Sequence, residues 1–492
     1  MKNSNKWPRI FLVLLILIGI FLHFYKITAI KDVVFDEVYF AKFGQDYLTF
    51  NECPEYMVEG DYEADKGCYD VHPPLGKLMI AGGEKLIGLT DFRRYFEEKK
   101  DFDAAKTAGR DVGKFQTGFT DREVLGWRFS GAVFGLIFIG LMYILGTLVF
   151  KNEWWGLMAA FLATIDNYFL TQSRLALIDI YLISFQLAAI ILFIKAYLSK
   201  TNWRYLWYVG SGVLAGCALG VKFNGLSVVG VLLAVLLYDV FVRVLEVRSY
   251  KAFFGRLLHN LVVYLMIIIV GGLTFFGILY LPQAIFGHEF PWETDLMNKY
   301  TYHKNLTAEH PYASSWYKWP LSKKPVFYYY NVDIVEVADA GSAKNGEAKQ
   351  TEEVITAING HGNPLLWWFG DLGMICVALM FIYWTMRDLF DEGKGKAENH
   401  WSEVVILVGF FASWLPWIFI GRVVFLYHFL PAVPFLFLAV AWLLKRIWVK
   451  KGWGRMVVAA ILVLMVVSFV YYLPMTIGLP QNRMDYDARW FS

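Results

Sequence analysis

Long apolar runs alternate with short polar segments along most of the 492-residue chain. At about 1.5 Å per helical residue, a run of roughly 20 apolar residues crosses the hydrocarbon core of a bilayer. About eleven runs meet this criterion and predict membrane-spanning helices. They cover residues 9–29, 125–149, 154–171, 175–198, 204–221, 223–243, 257–281, 364–386, 402–421, 423–444 and 455–475.

Two of these divisions are weak. Only the polar residues 171–174 separate the third run from the fourth, and only Lys222 and Asn224 separate the fifth from the sixth. Either pair could therefore be one merged or re-entrant segment.

Two long polar stretches interrupt the pattern, at about 30–124 and 282–363. Their mixture of aromatic, Gly, Pro and charged residues favours folded loops over linkers. Residues 36–49 and 73–88 of the first stretch are amphipathic and too short to span, so they predict helices that lie on the membrane surface. Residues 331–356 of the second stretch are compatible with strand or with disorder.

The predicted fold class is an all-α polytopic bundle with interfacial helices and extracytoplasmic loops. We divide it into a catalytic half at 1–281, the second loop at 282–363 and the C-terminal helices at 364–492. If the N-terminus is cytoplasmic, the short loops that are rich in Lys and Arg all fall on the cytoplasmic side. Both long loops then face outward from a multi-pass protein of the cell membrane.

Composition agrees with a membrane protein, because 57% of the residues are hydrophobic, 18% are aromatic and mean hydropathy is +0.43. The net charge of +3 is dispersed, so no nucleic-acid partner is indicated. Neither a phosphate-binding glycine motif nor zinc-like His/Cys spacing is visible, which argues against a nucleotide-driven pump and a zinc hydrolase. We expect the first run to be a retained anchor instead of a cleaved signal.

The four cysteines fall into two groups. Cys217 and Cys376 lie within apolar runs, where a free thiol behaves as a small hydrophobic side chain. Cys53 and Cys68 share the first polar loop. They form either a disulfide, if that loop is outside the cytoplasm, or two free thiols.

An acidic pair, Asp36 and Glu37, follows the first apolar run and has apolar neighbours. A carboxylate in such a place is costly unless it is bound, paired or catalytic. The alternative interpretation is that the two carboxylates lie in solvent at the start of a helix, where the helix dipole stabilises them.

Several cations also fall near the outer ends of the predicted spans, where positively charged side chains are unusual. A cation at membrane depth needs an anionic partner, and the phosphate of a lipid-linked substrate is one. This distribution indicates group transfer from a lipid phosphate to an external acceptor. The cations are Arg128, Arg174, Lys222, Arg422 and His428.

At these residues the chain resembles the protein O-mannosyltransferases, which use dolichyl- or polyprenyl-phosphate-mannose and have a GT-C fold. The strongest matches are 35–40 (FDEVYF) followed by 70–77 (DVHPPLGK). Further matches are 171–175 (TQSRL) with Asp179, then 222–225 (KFNG), 310–312 (HPY), 319–321 (WPL), 362–368 (GNPLLWW) and 422–431 (RVVFLYHFLP). The loop at 282–363 is too short for the β-trefoil domain of eukaryotic members, which favours the bacterial and archaeal branch. The spacing from Asp36 to His72 is longer than in the relatives.

The resemblance implies inverting transfer of mannose to Ser or Thr hydroxyls of exported proteins. We expect Asp36 to be the base and Glu37 to position Asp36, a cation or the acceptor. For the donor phosphate we rank Lys222 before Arg128 and Arg174, with Arg422 and His428 nearby. For Arg174 a structural pair with Asp179 is an alternative, and for His428 a satisfied buried histidine is another.

His72 and Pro73 are expected on the acceptor side. Phosphate leaves without a general acid, so one catalytic carboxylate suffices, and no cofactor or metal is required, although a divalent metal is compatible with the acidic pair. The expected partners are the lipid-linked donor, the protein acceptor, membrane lipids and the protein-export machinery. Alternative functions are a GT-C transferase with another sugar or a lipid or glycan acceptor, a membrane transporter, and a polytopic scaffold.

Overall fold

The computed structural model describes residues 6–49, 71–110, 115, 117–247, 250–286, 292–306, 309–337, 350–390 and 400–489. Within them the chain is almost entirely helical. The helices are α1 (Trp7–Phe24), α2 (Glu37–Thr49), α3 (Leu75–Ile87), α4 (Phe92–Thr107), α5 (Asp121–Phe150), α6 (Glu153–Thr164), α7 (Asn167–Arg174), α8 (Asp179–Leu198), α9 (Arg204–Val221), α10 (Ser227–Val247), α11 (Tyr250–Phe286), α12 (Trp292–Asn305), α13 (Pro364–Phe390), α14 (Trp401–Trp414), α15 (Val433–Trp448), α16 (Trp453–Ile477) and α17 (Arg483–Arg489).

The predicted all-α membrane fold is confirmed. Among the described residues, eight helical segments are long and apolar enough to cross a bilayer. They correspond to α1, α5, α8, α10, α11, α13, α14 and α16. The other three predicted spans correspond to the broken pair α6–α7, to α9 and to the short helix α15. Each of the eleven predicted runs thus contains a helix, although residues 423–432 of the tenth run form a loop with one 3-10 turn before α15 begins at Val433. Neither of the two weak divisions is a merged helix.

Burial separates the inner helices from those that face lipid. In α8, 72% of the residues in the most apolar 18-residue segment are buried, whereas in α1, α11 and α16 the fraction is 22%. Many of the exposed side chains of α1, α11 and α16 are large and apolar, so they suit a lipid environment. The short helix α15 is almost wholly buried and, with α8, forms the centre of the bundle.

The predicted interfacial helices form α2 and α3, close to the expected bounds. Pro73 and Pro74 directly precede α3, where the missing amide hydrogens cost nothing. The two helices pack closely at Gly44, where an added Cβ would lie 2.8 Å from Glu84 Oε2. α2 buries the charged Lys42 and Asp46 as well as its apolar face, so protein encloses it more than the prediction of a surface helix implied.

The second loop contributes α12 and an antiparallel hairpin of β1 (Val326–Val337) and β2 (Gln350–Gly360), to which the short β3 (Gln481–Asn482) is added. Of the two alternatives for residues 331–356, strand is what the structure contains at 331–337 and 350–356, whereas residues 338–349 lie outside the described part of the chain. The predicted pair Cys53 and Cys68 lies outside the described residues. Cys217 and Cys376 are free thiols, as expected.

Asn363 joins three separate parts of the bundle at the start of α13. Its side-chain amide donates to the carbonyl oxygens of Ile165, at the break between α6 and α7, and of Met465 in α16, at 3.0 and 2.9 Å. The Asp166 carboxylate, in the same break, accepts a hydrogen bond from the backbone N–H of Asn363 and another from Trp367 Nε1. The Gly-Asn-Pro motif is therefore part of the scaffold.

We predict that Asn363→Ala lowers the free energy of unfolding by about 2–4 kcal/mol, because two buried carbonyl groups lose their donor. Thermal or denaturant unfolding of the detergent-solubilised protein measures this. Asn202→Ala, at an exposed loop position, is the matched control and should change stability little. Equal stability of the two variants would contradict the role of Asn363.

Candidate active site

A tight turn at residues 34–37 sends the two acidic side chains in different directions. Phe35 has φ +52°, a left-handed conformation that costs a bulky residue about 1–2 kcal/mol. The Glu37 amide donates to the Val34 carbonyl at 3.0 Å, and Glu37 Oε2 accepts from the Val34 amide at 2.9 Å. The Glu37 side chain thus closes the turn that displays Asp36.

Glu37 is fully buried and paired with Arg128 of α5. The guanidinium binds both carboxylate oxygens at 2.8 Å, and Glu37 Oε1 also accepts from the Ala176 amide at 2.9 Å. Two hydrogen bonds at each oxygen leave the carboxylate well satisfied. Of the three roles predicted for Glu37, these contacts favour positioning of a cation.

Arg128 has no donor left for a phosphate. Besides the two bonds to Glu37, it donates to the carbonyl oxygens of Ile27, Ile30 and Asp32 at 2.9, 2.9 and 3.2 Å. All five N–H groups of the guanidinium are therefore used. The structure places Arg128 under the acidic turn, where it anchors the segment after α1, and not in a phosphate site.

Arg174 likewise serves the fold. It lies at the end of α7 and donates to the carbonyl oxygens of Leu22, His23 and Tyr25 at 2.6–3.0 Å. These carbonyl groups belong to the C-terminal end of α1, whose negative dipole end favours a cation. The predicted alternative, a pair between Arg174 and Asp179, is also not formed, because Asp179 binds Lys222.

Asp36 differs from Glu37 in its burial and in its hydrogen bonding. Its side chain is half-buried, and among the described residues no side-chain hydrogen bond to it is present. Burial raises the pKa of Asp36 to about 7, the charge of Lys222 opposes this rise, and Asp179 adds to it. A carboxylate with a pKa near the ambient pH is suited to accept a proton.

Lys222 stands beside Asp36 at the point where α9 ends and a single 3-10 turn begins. Its ammonium group binds both oxygens of Asp179, the first residue of α8, at 3.0 and 3.1 Å. It also lies 4.6 Å from the centre of the Tyr427 ring. Because an ammonium group has three donors, one remains for a further anion.

Arg422 is the cation with the most unused donors in this cluster. It is half-buried, and among the described residues its guanidinium contacts only His428 Nε2, at 3.4 Å. His428 Nδ1 lies 3.1 Å from the Phe425 carbonyl oxygen, and the ring is enclosed by Trp319 and Trp417. His428 thus fits the predicted alternative of a satisfied buried histidine that supports Arg422.

His72 and Pro73 approach the same cluster from the first loop. Lys77 Nζ binds both of their carbonyl oxygens, at 2.7 and 2.5 Å, which fixes the turn before α3. Burial and the charge of Lys222 hold the pKa of His72 well below its usual range. The His72 ring lies 6.0 Å from that of Phe40, one turn beyond Asp36 on α2.

Sequence reasoning missed three members of this site. Asp179 was noted as part of a matching motif and as an alternative partner of Arg174, and no role was predicted for Tyr427 or for His303 of α12. His303 stacks on His72 at 5.3 Å. Among the described residues, no three His, Cys, Asp or Glu side chains form a group that could hold a metal ion.

Comparison with known proteins decides the family. Residues 13–286 match the family model described as dolichyl-phosphate-mannose-protein mannosyltransferase, and residues 289–492 match the C-terminal four-transmembrane region of protein O-mannosyltransferase. The chain belongs to this mannosyltransferase family. The acidic turn and the Lys222 ion pair lie in the first region, whereas Arg422 lies in the second.

Two curated relatives illustrate the likeness. The polyprenol-phosphate-mannose–protein mannosyltransferase of Mycolicibacterium smegmatis is 24% identical over 85% of this chain and 80% of its own length. The enzyme of the same name from Corynebacterium glutamicum is 23% identical over 99% and 94%. In fold, this mannosyltransferase is similar to a chain of the S. cerevisiae Pmt1–Pmt2 complex bound to the sugar donor, with a TM-score of 0.73 and 16% identity, covering all of this chain and 93% of that one.

We predict that Glu37→Gln destabilises this mannosyltransferase by about 3–5 kcal/mol, because it leaves the buried Arg128 charge without its counter-ion. Unfolding in detergent measures the loss. Asp101→Asn, at an exposed position on α4 in the same loop, is the control and should be nearly neutral. If Glu37→Gln unfolded like the wild type and yet lost all activity, the anchoring role would be contradicted and a direct catalytic role favoured.

Proposed function

We propose that this mannosyltransferase moves mannose from polyprenyl-phosphate-mannose to Ser or Thr hydroxyl groups of exported proteins, at the extracytoplasmic face of the cell membrane. The family assignment and the names of the relatives support the donor and the protein acceptor. The observation that carries the proposal is the half-buried Asp36 carboxylate near Lys222, in a cluster that Arg422 joins through Tyr427 and His428. A base and two phosphate-binding cations then meet at one place.

Asp36 is the base in this proposal. The acceptor oxygen attacks C1 of mannose from the face opposite the phosphate, the C–O bond to phosphate breaks, and the hydroxyl proton passes to Asp36. The configuration at C1 inverts, and the products are the mannosylated protein and the polyprenyl phosphate. One carboxylate suffices because the departing phosphate needs no proton, unlike the leaving group of a glycosidase.

Lys222 and Arg422 hold the phosphate. Lys222 keeps its bond to Asp179 and offers its remaining N–H, whereas Arg422 offers a planar fork suited to a bidentate phosphate contact. Their fixed positive charge stabilises the negative charge that develops on the phosphate oxygen as the bond to C1 breaks. Arg128 is left out because all five of its donors are used by Glu37 and by backbone carbonyl groups, and Arg174 because its guanidinium is held on three carbonyl groups at the end of α1.

His72 and Pro73 border the acceptor side, where the Lys77 contacts hold them in place. The step as written uses no cofactor or metal. The N-terminus is cytoplasmic in this proposal, so the acceptor meets the site after export, and contact with the export machinery stays a prediction.

We predict that Asp36→Asn abolishes mannose transfer, with a loss of at least about 100-fold in kcat, because general-base catalysis contributes on that order. Membranes or purified enzyme with labelled polyprenyl-phosphate-mannose and a Ser/Thr peptide provide the assay, and the donor KM should change little. Asp101→Asn, an exposed position on α4, is the control. Normal turnover by Asp36→Asn would refute the base assignment, and label that enters lipid in place of protein would refute the acceptor class.

We also predict the pH dependence of the reaction. Asp36 must be ionised to accept the proton, and its pKa is raised to about 7. The value of kcat/KM should therefore be constant at alkaline pH and fall about tenfold for each pH unit below 7. A pH–rate profile of the wild type tests this, and a rate that stays constant down to pH 5 would contradict it.

A further inference from the structure

The second loop reaches the site through the last turn of α12. His303 lies in this turn, and its Nε2 is 2.8 Å from the carbonyl oxygen of Val71, which leads into the His72–Pro73 turn. The carbonyl can only accept, so Nε2 carries the hydrogen in this contact. A residue of the second loop thus fixes the backbone of the first loop directly before the acceptor-side turn.

The His303 ring makes contacts on two sides. It stacks on His72 with the ring centres 5.3 Å apart and the planes 26° apart. It also meets the Phe223 ring nearly at right angles, with the centres 5.9 Å apart. Because Phe223 directly follows Lys222, the His303 ring lies between the His72 turn and the segment that holds the ammonium group.

Lys222 and Arg422 have hydrogen bonds of their own that do not involve His303: Lys222 binds both oxygens of Asp179, and Arg422 faces His428. The hydrogen bond of His303 goes to Val71 and its stacked ring to His72, whereas on the donor side its ring meets Phe223 and lies within electrostatic range of His428. Its loss should therefore disturb the acceptor side more than the phosphate side.

We propose that His303 is a positioning residue that holds the His72 turn so that the acceptor hydroxyl lies in line with C1 and within reach of Asp36. This assignment rests on the proposed function. His303 does not touch the reacting atoms; it acts through His72, whose ring packs against Phe40, one turn beyond Asp36 on α2. A small shift of a positioning group costs rate out of proportion to its size.

The test compares His303→Phe with His303→Gln. Phenylalanine keeps an aromatic ring between His72 and Phe223 but removes the N–H that binds Val71, whereas glutamine keeps an amide donor and loses the ring. Purified wild type and variants are assayed with polyprenyl-phosphate-mannose and a Ser/Thr peptide. The KM of each substrate, kcat and the thermal midpoint are measured for each protein. Tyr300→Ala, an exposed aromatic position on the same helix, is the control.

We expect His303→Phe to lower kcat divided by the acceptor KM by about 10- to 100-fold, with the donor KM within about twofold of the wild type. His303→Gln should recover part of this loss, and Tyr300→Ala should match the wild type. Unchanged acceptor kinetics in His303→Phe, an equal rise in both KM values, or unfolding of both His303 variants would overturn the assignment. Absence of transfer by the wild type would instead contradict the proposed function itself.

Discussion

The buried ion pair of Glu37 and Arg128 is the interaction on which the site depends. Taking both charges out of water is expensive, and the contact is tolerable only because each remaining donor and acceptor is satisfied. Arg128 gathers three carbonyl groups of the segment after α1, and Glu37 adds the amides of Val34 and Ala176. The pair thereby joins α5, the turn at residues 34–37 and the entry to α8, and it leaves the Asp36 carboxylate outside this set of hydrogen bonds.

In this arrangement, side chains of the same type have different contacts. Adjacent carboxylates differ because the left-handed Phe35 rotates one into the protein and the other towards the Lys222 cluster. The arginines also differ. Arg128 binds Glu37 and three backbone carbonyl groups, and Arg174 binds backbone carbonyl groups, whereas Arg422 has a histidine as its hydrogen-bond contact among the described residues. The charge of a residue therefore says little about its role until its donors have been counted.

Hydrophobic pattern was sufficient to predict the bundle, since bilayer thickness and helix rise fix how long an apolar run must be. It even located the end of α9 at Val221, because Lys222 interrupts the run there. The roles of the cations were harder to predict, because a sequence does not reveal which carbonyl groups lie opposite a guanidinium. His303 was missed for a related reason: it lies in a polar loop without periodicity, and its importance depends on contact with residues more than 200 positions away.

The anchors of the acidic turn have a consequence for the order in which the protein is assembled. Arg128 and Ala176 lie 91 and 139 residues beyond Glu37 in the chain. The turn at 34–37 is synthesised early, yet it has no counter-ion until α5 has entered the membrane and no complete set of partners until α8 begins. Contacts of such long sequence separation form late. The turn that presents Asp36 therefore acquires its complete set of contacts only after α5 and the start of α8 are in place.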